Sequence, residues 1–385
     1  MQPADYYPHS NKIKMNNKVA VRICSEYDKQ VVFNHISDIY ESCEGPDVEG
    51  RKVLVKPNIL TDSDPSKCVT THPVVTEAVI RFLQSKGADV YAGDSPSIHL
   101  RGFKPVKSGL LEVCEKTGVP WIDFTKNPSE KRMPQGGKIK IASIVDKVDL
   151  IVSLPKLKNH ELVYFTGAVK NTMGLIPAFT KAKQHALHQN RVSFSRFLVD
   201  LNEAVMPHFF IMDGIMGMEG AGPGQGTPVK TGVILGSSNP VAMDVIATSI
   251  AGYNPMDIPT TAIAIARRFC LNSIDGIDYD GPVLSTIIKK DFRRIPVTSD
   301  RNISFKFVSN RVKFLRKFER RPVFNHKNCT GCQECIRICP VNAITMHRVK
   351  KNHVVLTDSK CIRCYCCSEV CQYNAVKIRR KISGV

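Results

Sequence analysis

The C-terminal part of the chain carries a cysteine pattern that repeats with a fixed offset of 32 positions. Cys329-x2-Cys332-x2-Cys335-x3-Cys339-Pro340 is followed by Cys361-x2-Cys364-x2-Cys367-x3-Cys371. The same offset maps Asn342-Ala343-Ile344 onto Asn374-Ala375-Val376, which marks an internal duplication.

Three cysteines two residues apart let one tight loop offer three thiolates to three irons of a cube. The fourth iron then takes the remote cysteine of the other half, as in a bacterial-type ferredoxin. The spacing predicts two [4Fe-4S] clusters, one held by Cys329, Cys332, Cys335 and Cys371, the other by Cys361, Cys364, Cys367 and Cys339. Structural zinc would use one local set of four ligands with no crossover. Because every iron has its thiolate, the module is expected to relay electrons rather than bind substrate. Gln372 replaces Pro340 in the second half, which changes a turn but removes no ligand. Cys366, next to Cys367, is read as a spectator.

The chain has 385 residues, more than one ordinary core needs, and 43% are hydrophobic, which suits a folded large domain plus a small one. Charge divides it in the same way. Residues 281–385 hold 23 Lys and Arg against 6 Asp and Glu, whereas residues 1–280 hold 31 against 29. No leader-like segment opens the sequence and no long apolar run crosses it, so a cytoplasmic protein without a transmembrane segment is expected. Clustered rather than evenly stapled cysteines also fit a reducing compartment.

Strands are predicted at Val19–Cys24, Lys52–Lys56, Ala88–Tyr91, Asp149–Leu154, Phe209–Met212 and Gly232–Leu235. Helices are predicted at Val74–Gln84, Gly109–Lys116, Tyr164–Asn171, Phe194–Val205 and from Pro240, capped by Asn239, to Ala251. The alternation predicts an α/β domain: a mostly parallel sheet covered by helices, followed by a small α+β ferredoxin-like domain. Gly214–Gly226 is too rich in glycine to read as a regular element. The domains are drawn as 1–280, a basic connector at 281–324, and the two-cluster domain at 325–385. In the connector Val308, Val312, Leu315 and Phe318 follow helical spacing.

The tail together with Lys56-Pro57-Asn58, Thr71-His72-Pro73, Gly93-Asp94-Ser95, Pro155-Lys156-Leu157-Lys158-Asn159-His160, Lys170-Asn171-Thr172-Met173-Gly174 and the Asp213–Gly226 stretch resembles the iron-sulfur proteins named for domain of unknown function 362. The resemblance covers about residues 18–260. It implies a redox-associated domain and transfers no catalytic assignment.

The residues themselves point to a site. Lys156, Lys158 and His160 follow a strand's carboxyl end, where open α/β sheets bind ligands, and Lys170 and Asn171 lie on the next helix. The lysines could hold an anion and His160 could move a proton. Asp213, Glu219 and Asp244 could bind a metal ion, orient His160 or serve as acids; equally, Asp213 could satisfy loop amides and Asp244 a helix terminus. Solvated lysines and a hydrogen-bonded histidine are the structural alternative. His185 and His188 share a helix face without a metal-binding frame.

Three functions follow. The first is an oxidoreductase in which the clusters pass electrons to a small anionic or polar substrate or cofactor in the large domain, with a flavin or further metal there left open. The second is an electron-transfer subunit whose basic tail docks an acidic soluble donor or acceptor. The third, nucleic-acid binding, lacks a recognised fold, and a homo-oligomer is compatible with all three.

Overall fold

The computed structural model describes residues 16–97, 102–297, 320–347 and 353–380. Eleven strands form the sheets of the large domain: β1 (Lys18–Ile23), β2 (Lys52–Pro57), β3 (Asp89–Ala92), β4 (Ser129–Arg132), β5 (Lys138–Ile141), β6 (Leu150–Leu154), β7 (Lys156–His160), β8 (Tyr164–Thr166), β9 (Phe209–Glu219), β10 (Thr227–Ser237) and β11 (Asp278–Asp280). The main sheet runs β11-β1-β10-β9-β6-β2-β3, with β7 paired to β9 and β8 paired to β7; β4 and β5 form a separate hairpin. The sheet is mixed. Neighbours from β9 through β6 and β2 to β3 are parallel, while β10 is antiparallel to both β1 and β9.

Strand alternation feeds two cores. Val53 and Val55 of β2 point to one, with helices α1 (Lys29–Ser42), α2 (Pro73–Ser85) and α3 (Leu110–Thr117); Leu54 points to the other. After the short α4 (Ala168–Asn171) and α5 (Ala178–Leu187), helices α6 (Arg191–Val205), α7 (Pro240–Ile250) and α8 (Pro259–Ala266) cover that second face. Asn239 accepts hydrogen bonds from Val241 N and Ala242 N, and Pro240 supplies a first residue with no amide to satisfy.

Two local expectations fail. β9 runs straight through the first half of the predicted glycine loop and ends at Glu219. Gly214 and Gly217 serve close packing: a Cβ on either would lie 3.0 Å from a backbone oxygen, of Val233 and Leu157 respectively. The Tyr164–Asn171 stretch is also not one helix. Tyr164–Thr166 pairs antiparallel with β7, Tyr164 turns through a left-handed φ of 70°, and only Ala168–Asn171 coils. The residues that follow β6 form a strand of their own, β7, buried along its whole length.

In the tail, β12 (Arg320–Phe324) pairs with β15 (Val376–Arg380), and β13 (Ile344–Met346) with β14 (Val354–Leu356). The duplication is visible in the backbone. Single helical turns at Glu334–Arg337 and Cys366–Glu369 correspond, as do the left-handed residues Gly331 and Arg363, Gln333 and Tyr365, Asn342 and Asn374. The predicted connector helix lies outside the described residues. Among those described, no helix is long and apolar enough to cross a membrane.

Candidate functional site between the large domain and the cluster module

The module docks against β7 and the turn after β9. Arg320 grips Glu161 with two bonds of 2.6 and 3.2 Å, and Gln225 Nε2 donates to the Ser368 carbonyl at 2.5 Å. Gly224 admits the module's backbone, since a Cβ there would sit 2.6 Å from the Glu369 carbonyl oxygen. A cavity of about 60 Å³ lies in this junction. The large domain lines it with Lys156, Lys158, Lys170, Asn171, Lys181 and His185; the module contributes Ile338, Cys366, Glu369 and Val370.

Lys156 is tied down. Its Nζ lies 2.7 Å from Asp213 Oδ2 and 3.0 Å from the Tyr27 hydroxyl, which donates to Asp213 Oδ1 at 3.0 Å. His72 N also donates to Asp213 at 2.9 Å, and the His72 ring stacks on Tyr27 with centroids 3.6 Å apart. Asp213 is thus the counter-charge of a buried lysine and the acceptor that joins β9 to the start of α2. Burial pushes the His72 pKa down to about 4 despite Asp213.

Lys158 has a different partner. Its Nζ donates to the Val69 carbonyl at 2.7 Å, which brings no charge. Burial, with Lys170 and Lys156 nearby, pushes its pKa down to about 7. Lys170 has no hydrogen-bond partner among the described residues. Its burial disfavours the ammonium, while Glu369 and Cys366 oppose that effect.

His160 Nδ1 accepts from Leu162 N at 3.1 Å and Val163 N at 3.4 Å. The neutral ring therefore carries its proton on Nε2, which faces Glu369 Oε1 at 3.2 Å without the alignment of a hydrogen bond. Burial, reinforced by Lys170, pushes His160 down to about 4. Burial alone would raise Glu369, but His160, Lys170 and His185 outweigh it and hold the carboxyl at about 2.

Asn171 braces the cavity floor. Its Oδ1 accepts from Lys56 Nζ and Asn58 Nδ2, and its Nδ2 donates to Ser153. Two weighed carboxylates prove structural: Asp244 accepts from Ala168 N and Val169 N at the start of α4, and Glu219 binds Arg293. His185 and His188 stack on Phe194 and Phe197 of α6 respectively. Among the described residues, no three His, Cys, Asp or Glu side chains converge as a one-ion site.

The sequence reading missed Tyr27, Lys56, Lys181, Asp94 and Glu369. Lys56 pairs with Asp94 at 3.0 Å in the interior. Asp94 lies two residues past the end of β3 and Lys56 is near the end of β2, so their positions at neighbouring strand ends were the available signal. Lys181, which donates to the Ser95 and Pro96 carbonyls, and Glu369, in the module, had none.

Cysteines of both repeats gather in one cluster of packed side chains. Burial raises the Cys335 thiol, and Cys332, Cys371 and Cys329 add like charge; for Cys367 the neighbours are Cys364, Cys361, Cys335 and Cys339. Ala343 N and Ala375 N donate to Cys339 Sγ and Cys371 Sγ at 3.2 and 3.3 Å, the kind of bond that orients cluster sulfur ligands.

A helix-covered α/β domain joined to a duplicated all-cysteine module defines an iron-sulfur protein of the electron-transfer type. The family described as a domain of unknown function (DUF362) matches residues 53–249, and a 4Fe-4S dicluster domain matches residues 328–375. The chain belongs to the DUF362 family and carries two [4Fe-4S] clusters. Thylakoid-associated protein sll1697 of Synechocystis sp. is 31% identical over 224 residues, which cover 58% of this chain and 69% of that protein. Among solved structures, the lactate racemase apoprotein of Thermoanaerobacterium thermosaccharolyticum aligns with 62% of this chain and 57% of its own, at 14% identity and a TM-score of 0.41. A Thermotoga maritima protein aligns over 50% of this chain and 51% of its own, at 15% identity and a TM-score of 0.34. The chain thus spans little more than half of either structure.

Proposed function

We propose that this chain is a reductase whose cluster module delivers electrons to a small anionic or polar substrate in the junction cavity. One observation carries the reading: Cys366, between Cys364 and Cys367, lines the same cavity as Lys158 and Lys170. The module therefore meets the candidate site through the residue between two proposed ligands, Cys364 and Cys367. When bound, the clusters supply electrons one at a time.

The chain's own residues would do the rest. Lys170 and Lys181 attract the anion, and Lys156 is fixed by Asp213 as part of the wall. Lys158, poised near neutrality by burial, can give up a proton as charge arrives. Burial of His160 and Glu369 at the junction excludes water. A concave polar cavity also favours an enzyme over a docking scaffold with no substrate.

The test uses the anaerobic, cluster-loaded full chain, reduced chemically and mixed with a panel of anionic metabolites. At least one should reoxidise the clusters, and Lys158→Met or Lys170→Met should slow that reoxidation with iron content unchanged. If no panel member reoxidises the clusters, the proposal fails.

A further inference from the structure

The charges around the cavity do not balance. Lys56 and Lys156 have carboxylate partners in Asp94 and Asp213, at 3.0 and 2.7 Å. Lys158 and Lys181 bond only to carbonyls, and Lys170 to no described residue. Asp94 being engaged by Lys56, Glu369 is the lining carboxylate left for these three ammonium groups. Even with the negative charge that the thiolate-bound clusters bring on the Cys366 side, these three amines have no carboxylate paired to them, and a bound anion would offset their charge.

One more lining residue has a polar atom without a partner. His185 Nδ1 is unpartnered, the residue is only 4% exposed, and it lines the cavity. Size then restricts the ligand. A cavity of about 150 Å³ accommodates the six heavy atoms of benzene, so the 60 Å³ here leaves room for about two or three heavy atoms by the same scale.

We infer that the cavity binds a compact oxyanion, of the size of formate or nitrite, between Lys158, Lys170 and Lys181, beside Cys366 and Glu369. Each ammonium offers up to three donors to a ligand made almost wholly of acceptors. The inference adopts the cavity named above as the substrate site but concerns binding alone.

Calorimetric titration of the full chain, clusters loaded and oxidised, tests it with formate and nitrite and with pyruvate and citrate as oversized controls. At least one compact oxyanion should bind once per chain, and the larger anions about tenfold more weakly or worse. Lys170→Met should weaken binding about tenfold or more, whereas Lys116→Met, on an exposed helix face beside Glu112, should leave it unchanged. Should Lys170→Met not assemble, displacement of the wild-type reduced-cluster resonance signal by the anion replaces it. Lack of binding, equal binding of citrate, indifference to Lys170→Met, or in its stead an unshifted signal, overturns the inference. Binding without cluster reoxidation would refute the reductase and spare the anion site; reoxidation by a larger substrate with no compact oxyanion bound would do the reverse.

Discussion

His160 Nε2 lies 3.2 Å from Glu369 Oε1 across the junction between the large domain and the cluster module. The ring is aimed there because Leu162 N and Val163 N hold its other nitrogen. Glu369 follows Cys367 by two positions, so this contact ties a cysteine loop to β7. Glu369→Gln keeps the shape and removes the charge. Hydrogen exchange at Leu162 and Val163 should then speed up roughly fivefold, the scale of one hydrogen-bond contribution, with iron content unchanged. Unaltered exchange would show that the contact does not hold the junction.

Acid should loosen the fold through buried histidines. Burial pushes His185 from 6.5 to about 4, with Glu369 opposing and Lys170, His160 and His188 adding. The folded state therefore binds fewer protons than the unfolded chain between those values. Stability is complete above the unfolded value and is lost as pH falls toward the folded one. His185→Phe keeps an aromatic ring against Phe194 and should flatten that dependence by up to about 1.4 kcal/mol per pH unit. Urea unfolding from pH 5 to 7 followed at Trp121 measures it, that residue being the chain's one tryptophan. His72 and His160 keep their share, so a residual slope is expected.

Anion binding should take up protons. Burial holds Lys158 at about 7, with Lys170 and Lys156 adding and Glu369 and Asp94 opposing. Lys181 is also at about 7 by burial, with Lys56 and Lys170 adding and Asp94 and Glu369 opposing. At about pH 8 both are mostly neutral, and a bound anion restores their charge. Calorimetry in two buffers of different ionisation heat should show uptake at about pH 8, little at about pH 6, and affinity that declines as pH rises. Binding with no proton uptake at the higher pH would remove both lysines from the anion's surroundings.

What could be read from the sequence was local. Apolar runs such as Leu150–Leu154 and the caps around Pro240 marked elements because their causes lie within a few residues. The glycines of β9 read as a loop because their cause is distant: Leu157 and Val233 backbones press on them from neighbouring strands. The site divides in the same way. Lys156, Lys158 and His160 were visible as polar residues after an apolar strand, yet the partner of Lys156 is completed by Tyr27, and Glu369 reaches His160 only through docking of the module. The unequal pairing of lysines and carboxylates has no sequence signature.

Crossed ligation can be tested apart from the rest of the site. Cys335 and Cys339 of the first repeat both act on Cys367 in the second, and Cys371 acts on Cys335, so the two repeats face each other. If Cys339 completes the cluster of Cys361, Cys364 and Cys367, the single variants Cys339→Ser and Cys361→Ser damage the same cluster. The double variant should then keep the other one, with iron falling from about eight to about four per chain. Local ligation, with Cys339 serving its own repeat, puts the two substitutions in different clusters and would strip both. Cys366→Ser should retain all the iron, because its thiol faces the junction cavity beside Lys170. Iron analysis with resonance spectra of the reduced protein distinguishes these cases. Loss of both clusters in the double variant would reject the crossed arrangement.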